Sequence, residues 1–290
     1  MRRRRFILGA GGLFAAATSG LSLKVNANRR PLIMGIFPRR NVKHTYSAFM
    51  PMARHLETVL ERPVDLVAVR QFSDFWRDVR HRRFDLVHFN QYHYLVSQKR
   101  YGYSVILKNQ EFGEDEFASA LFVRNDSNIS RLEDLKHKTI LFGGGKRAML
   151  SYIVPTWLLR QAGLGEEDYV EKIALNPPNA LISTYHGQAD AAGAGEVVTQ
   201  FELVKKNIKV ELMRPLVRSE KISHLPWAVR DNMDDDTRQL IQSSLVNLEE
   251  NETGRSILKS AHLTSMTIAD DSDYQVSNRI ITELYGDRYH

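Results

Sequence analysis

The chain has 290 residues, of which 43% are hydrophobic and 26% charged, and it contains no cysteine. That length and balance suit a folded chain of one or two domains, while the lack of thiols excludes disulfide scaffolds, cysteine-ligated zinc or iron–sulfur sites and a thiol nucleophile. The formal net charge of +6 sits mostly at the start, where Arg2, Arg3, Arg4, Arg5 and Lys24 occur with no acid before residue 28; the remainder is near neutral and offers no broad nucleic-acid footprint.

Residues 1–27 have the layout of an export leader: a charged start, a mildly apolar run over 7–23, then small residues at Val25-Asn26-Ala27. The run is broken by Gly9, Gly11, Gly12 and Gly20 and is a poor membrane span. Arg3-Arg4-Arg5-Phe6-Ile7 resembles a twin-arginine signal, with an ordinary general-secretion signal or an uncleaved anchor as alternatives. The expected location is the periplasm, reached through the twin-arginine or the general export machinery. No cysteine follows the cleavage site, so no lipid anchor is expected.

Beyond residue 27 short apolar runs alternate with helix-period segments, the mark of α/β architecture. The spacing predicts a strand over 32–37 ended by Pro38, a helix over 46–60, a strand over 64–69 and a helix over 72–79. A strand over 84–89 and a helix over 92–100 come next, then a strand over 119–124 and a helical turn at 132–135. A strand over 138–142 feeds the Gly143-Gly144-Gly145 turn and a helix over 149–162. Strands are expected at 170–175, 189–194 and 210–212, with a helix over 180–187 between the first two. Helices at 235–248, 252–258 and 273–284 close the chain. Blocks of this kind before and after residue 120 predict two lobes, with ligands beyond the carboxyl ends of the strands. The segments there are 38–45, 71–75, 90–94, 143–151 and 195–199.

Catalytic signatures are missing. There is no H-E-x-x-H and no G-x-S-x-G, and Gly143-Gly144-Gly145-Lys146 lacks the earlier glycine and the hydroxyl residue of a phosphate loop. No metal site and no cofactor are expected.

An ordered set of motifs over roughly two hundred residues resembles the phosphate/phosphite/phosphonate-type periplasmic substrate-binding proteins of ABC transporters. Its members are Pro51-Met52-Ala53-Arg54-His55-Leu56-Glu57, the run from Asp85-Leu86 through Phe89-Asn90 to Tyr94, and Arg124-Asn125-Asp126-Ser127. Leu132-Glu133-Asp134-Leu135-Lys136, Tyr152-Ile153-Val154-Pro155 and Gly187-Gln188-Ala189-Asp190-Ala191 follow, and Ser219-Glu220-Lys221-Ile222 with residues 226–230, similar to the family's return crossover, completes it. The resemblance implies a type II periplasmic binding protein fold with two mixed sheets flanked by helices. Lobe one is expected over 28–118 plus 219–290 and lobe two over 119–218. One departure stands out: where relatives carry Ser-Thr-Ser-Gly, this chain has Ala148-Met149-Leu150-Ser151. A register counted from Phe142 puts Arg147 on the first serine, and in either register the Ser-Thr pair is absent.

The candidate ligand residues follow. Gly145, Lys146, Arg147 and Ala148 form a turn whose amides and cations suit an anion, or Lys146 and Arg147 are simply solvated. Ser151 offers the loop's hydroxyl. Asn90, Gln91 and Tyr92 follow a buried strand and can face a cleft. Tyr94 holds the family's ligand-contacting tyrosine position, with a packing aromatic whose hydroxyl is bonded as the alternative. Glu196 follows an apolar segment and can accept a proton from a partly protonated ligand. Phe72, Phe75 and Trp76 read as core, His186 as a helix cap, and Asp234-Asp235-Asp236 as a helix-start cluster. The function these residues imply is capture of a small oxyanion or organic anion by hinge closure, with an ABC permease or a histidine-kinase sensor domain as partner. The rivals are an enzyme on the same scaffold and a cation site walled by Tyr92, Tyr94 and Phe72.

Overall fold

The computed structural model describes residues 30–38 and 41–286, so the expected leader lies outside the described residues. Strand β1 (Leu32–Ile36) leads to helix α1 (Val42–Leu60), whose start is set by Asn41: its side chain accepts the His44 N–H at 2.9 Å, which opens the helix before the expected residue 46. Strand β2 (Val64–Ala68), helix α2 (Phe72–Arg80), strand β3 (Leu86–His88) and helix α3 (Gln91–Tyr101) follow the predicted order. Strand β4 (Tyr103–Gln110) was not expected. It is an interior strand, and its polar Lys108 and Asn109 are buried because partners meet them: Asp115 and Asp273 for the lysine, the Trp227 indole N–H for the amide.

The second half holds β5 (Glu116–Arg124), β6 (Thr139–Gly143), α4 (Val154–Gln161), β7 (Val170–Ala174), α5 (Pro177–Tyr185), β8 (Ala191–Gly195), α6 (Glu202–Asn207) and β9 (Met213–Ser223). Residues 210–212, expected as a strand, form a short helical turn, and β9 begins just after it. The chain then returns through β10 (Pro226–Arg230), α7 (Asp235–Val246), α8 (Glu252–Ser260), β11 (Ser265–Ile268) and α9 (Gln275–Tyr285). Asp234 caps α7 through the Thr237 N–H at 2.8 Å.

Two sheets result. One has the order β11-β4-β10-β3-β1-β2, the other β7-β6-β8-β5-β9. In the first, β1 runs parallel to β2 and β3 while β10 and β11 enter antiparallel; in the second, β6 is parallel to β7 and β8 while β5 is antiparallel to β8 and β9. The chain changes sheets at 111–115 and 224–225. The boundaries expected at 118/119 and 218/219 therefore fall inside β5 and β9, which lie wholly in the second sheet. The two crossings are tied together: the His224 N–H donates to the Asp115 carbonyl at 2.8 Å, and His224 Nε2 lies 3.3 Å from the buried Glu111 carboxylate.

Each half has its own apolar core. Met34, Met52, Leu56, Trp227 and Ile241 pack on one face of the first sheet, and Ala120, Phe122, Leu181 and Ala192 on one face of the second. A third cluster is shared, joining Phe75, Tyr94 and Tyr103 to Phe142, Tyr152 and Leu159 through Ile280, Ile281 and Leu284 of α9. Asp85, only 3% exposed, stitches the first half: it accepts from Arg30 at 2.6 Å, from the Ile33 N–H at 2.8 Å and from Arg230. Asp85→Ala strands these donors and is expected to cost about 2–3 kcal/mol, since its arginine partners keep some solvent; a lower midpoint in urea unfolding checks it.

Candidate ligand-binding cleft

The first wall of the site starts at the end of β3. Asn90 caps α3, its Oδ1 accepting the His93 N–H at 2.8 Å and lying 2.6 Å from His93 Nδ1. That arrangement places the ring proton on Nδ1 and turns the Asn90 amide nitrogen outward, where it donates to the Arg147 carbonyl at 3.1 Å. One side chain thus bonds the two halves directly. His93 itself is sealed by rings, stacked on Phe72 at 5.0 Å and edge-on to Trp76 at 5.0 Å. Burial, with Arg147 adding repulsion, holds its pKa down at about 3.

The second wall starts at the end of β6. Gly144 and Gly145 adopt φ of +84° and +94°, a left-handed bend that only glycine takes without strain. Gly143 must also lack a Cβ, which would lie 2.3 Å from the Pro177 backbone. The Ala148 N–H closes the bend on the Gly145 carbonyl at 3.0 Å. The chain then enters a wide π-type turn over Met149–Ile153 that runs on into α4, where one continuous helix was expected. The amides at the head of that turn precede its first internal hydrogen bond.

An open cleft of ≈730 Å³ lies beside this junction, bordered by Tyr92, Lys146, Arg147, Tyr152 and Arg160 and by the last turn of α9 with Glu283, Leu284 and Tyr285. Arg147 is exposed, with its guanidinium 6.0 Å from the centre of the Tyr92 ring. Lys146 is committed: Nζ sits 3.0 Å from Glu171, which also accepts the Tyr152 hydroxyl at 2.7 Å, and the carboxylate raises the lysine pKa. Helix α9 crosses to α4 here. The Trp157 indole donates to Glu283 at 2.7 Å, and Arg160 donates to the Leu284 carbonyl at 2.6 Å.

The structure brings together Asn90, Tyr92, Gly145, Lys146, Arg147 and Ala148. It puts the other expected residues to internal use. Tyr94 is fully buried, its hydroxyl donating to Asp271 and accepting the Val105 N–H at 3.2 Å, so the packing role replaces the ligand contact; burial and then Asp271 push its pKa up. Gln91 donates to the Ser223 carbonyl at 3.0 Å, beside the second crossing. Ser151, 3% exposed, donates to the Gly143 carbonyl at 2.6 Å and braces the bend. Glu196 is ion-paired to Arg218 of β9 within the second half. His93, Arg160 and Tyr285 were not foreseen. An N-cap asparagine three residues before a histidine was a usable signal for the first, whereas nothing local marks α9 as reaching α4.

A family model described as "ABC transporter, phosphonate, periplasmic substrate-binding protein" matches residues 34–274. The chain belongs to this family. Solved structures agree in fold. PhnD1 from Prochlorococcus marinus, in complex with methylphosphonate, superposes with a TM-score of 0.74 at 17% identity, covering 88% of this chain and 98% of its own. A Xanthomonas citri protein bound to ATP gives a TM-score of 0.74 at 16% identity, covering 87% of this chain and 96% of its own. A binding-protein component of an ABC phosphonate transporter from Pseudomonas aeruginosa gives 0.72 at 15% identity, covering 90% and 88%. The protein is thus a two-lobed periplasmic substrate-binding component, working with the permease and ATPase subunits of a transporter.

Because His93 has a folded pKa of about 3 and an ordinary value of 6.5 when unfolded, the unfolded chain takes up a proton that the native state refuses. Its contribution to stability is present above pH 6.5 and is lost as pH falls from there toward 3. Between pH 7 and pH 5 this group is expected to remove about 2 kcal/mol. Urea unfolding of His93→Gln should show a pH slope flatter by that amount.

Proposed function

We propose that the protein captures a small oxyanion-bearing molecule of the phosphonate–phosphate class at the junction of Asn90, Tyr92 and the 145–148 bend, with Arg147 as the charged grip. The observation that carries this reading is the state of Arg147. Its backbone is held from the opposite half by Asn90 and its guanidinium rests by Tyr92. Among the described residues no carboxylate pairs with that guanidinium. Such a group offers a fork of donors that matches two anion oxygens at once, and backbone amides of a glycine bend add further donors without a side chain. Relatives of the same fold hold methylphosphonate in one case and ATP in another, so the scaffold accommodates anions of very different bulk.

In this reading the ligand joins the halves. A ligand whose oxygens are held by the bend and Arg147 beside α3 contacts both halves only when the cleft is shut, which is the differential affinity that drives closure. No covalent bond is made or broken. Delivery to a membrane permease then needs only that the closed form be read as loaded. Export through the twin-arginine route is supported by Arg3-Arg4-Arg5-Phe6-Ile7, and a chain without cysteine has no site for a lipid anchor.

Thermal-shift and calorimetric titration with methylphosphonate, phosphite and phosphate test the site. At least one is expected to raise the melting temperature, and Arg147→Ala should weaken it by roughly ten- to a hundredfold, the weight of a charge-assisted hydrogen bond or two. Arg147→Lys should keep part of the binding. Absence of any response from a folded protein at millimolar anion would overturn the reading.

A further inference from the structure

Three features of the same cleft describe the organic part of the ligand, given the anion reading above. The first is that the 148–151 stretch lends no free side-chain hydroxyl to an oxyanion. Ala148, Met149 and Leu150 bring no hydroxyl, Met149 is 2% exposed, and Ser151 spends its hydroxyl on Gly143. Leu150 lies so close to Gly195 that a Cβ on the glycine would stand 3.0 Å from its Cδ1, while its carbonyl accepts from Ser119 at 2.6 Å. A leucine anchored there packs and donates no side-chain hydrogen bond, so the donors left to an anion at the bend are its amides and the guanidinium of Arg147.

The second feature is the charge pattern. Of the cations bordering the cleft, Lys146 is neutralised by Glu171, and Arg160 is bound to the Leu284 carbonyl. Of the acids, Glu283 is taken by the Trp157 indole and by Arg279 at 3.2 Å, and Glu166 stands exposed at the rim. The positive charge open to a ligand therefore comes from Arg147 and from Arg160, which keeps its charge and its remaining donors because its partner is a neutral carbonyl, and among the described residues no carboxylate pairs with either.

The third feature is size and surface. At ≈730 Å³ the cleft falls within the roughly 300–1,000 Å³ of pockets built for drug-sized molecules. A one-carbon phosphonate on Arg147 would leave most of it to water. Of the apolar residues bordering that space, Tyr92, Tyr152 and Leu284 are buried in the shared core, and Tyr285 is the partly exposed ring. Burial and the neighbouring Tyr92 push the Tyr285 phenol up to about 12, so it stays neutral as an apolar face with a polar tip.

The geometry points to an aromatic organophosphorus anion as the preferred ligand, its oxyanion on Arg147 and its ring against Tyr285 of α9. Flat rings favour such a wall because an offset or edge-on pair with tyrosine adds attraction beyond the area buried.

Calorimetric titration of the leader-free chain with phenylphosphonate and methylphosphonate tests this. Phenylphosphonate is expected to bind at least about tenfold more tightly. Tyr285→Ala should bring the two ligands to within about twofold of each other, Tyr285→Phe should keep the preference, and Arg147→Ala should weaken both alike. Equal binding of the two by the wild-type protein, or tighter binding of methylphosphonate, overturns the inference and leaves the anion reading standing. A preference unchanged by Tyr285→Ala, in a variant that melts like the wild type, also overturns it. Failure of both ligands, together with phosphite and phosphate, sinks the anion reading first. Should Tyr285→Ala not fold, the wild-type ratio alone decides.

Discussion

The amide of Asn90 is a small group with a large role. Its oxygen serves the backbone and the ring of His93, and its nitrogen reaches the carbonyl of Arg147 on the other half. Neither end is spare. The backbone N–H and the ring of His93 together hold the oxygen, and that fixes the direction in which the nitrogen points. That ring in turn is fixed by Phe72 and Trp76, so packing within the first half sets where the bend of the second half can rest. The bend is equally constrained from its own side, by positive φ at Gly144 and Gly145 and by the bare Cα of Gly143 against Pro177. The position of Arg147 is the product of these two sets of constraints.

Such a joint has to be strong enough to be definite and weak enough to open. A single neutral hydrogen bond contributes on the order of 1 kcal/mol net, which suits a contact made and broken in each transport cycle. The crossings between sheets carry more: a carboxylate–imidazole contact between Glu111 and His224, a backbone bond from His224 to Asp115, and Lys108 between Asp115 and Asp273. The stronger connections between the halves therefore lie at the crossings and in the dock of α9 on α4, and the Asn90–Arg147 bond is the lighter one beside the cleft.

The sequence carried the α/β alternation, the two-sheet division and the loop that matters, because apolar periodicity and glycine runs are local signals. It did not reveal β4, whose buried Lys108 and Asn109 break the apolar pattern that an interior strand ought to show; only their distant partners make them tolerable. Tyr92 and Tyr94 illustrate the same limit. Two residues apart on α3, they leave the helix axis about 200° from each other, so one faces the junction and the other the core, and no spacing rule says which. Ser151 looked like a ligand hydroxyl because its neighbours had lost theirs. Its acceptor, the Gly143 carbonyl, comes within reach only once the bend has closed.

Helix α9 leaves the first sheet yet docks on α4 of the second half through Trp157 and Arg160, and the described chain ends at Gly286 on the rim of the cleft. Gly286 is thereby a neighbour of the candidate cleft. A fluorophore or tether attached at Gly286 would stand at the edge of that cleft, and a reporter placed on α7 or α8, which pack on the first sheet away from it, would leave the cleft clear.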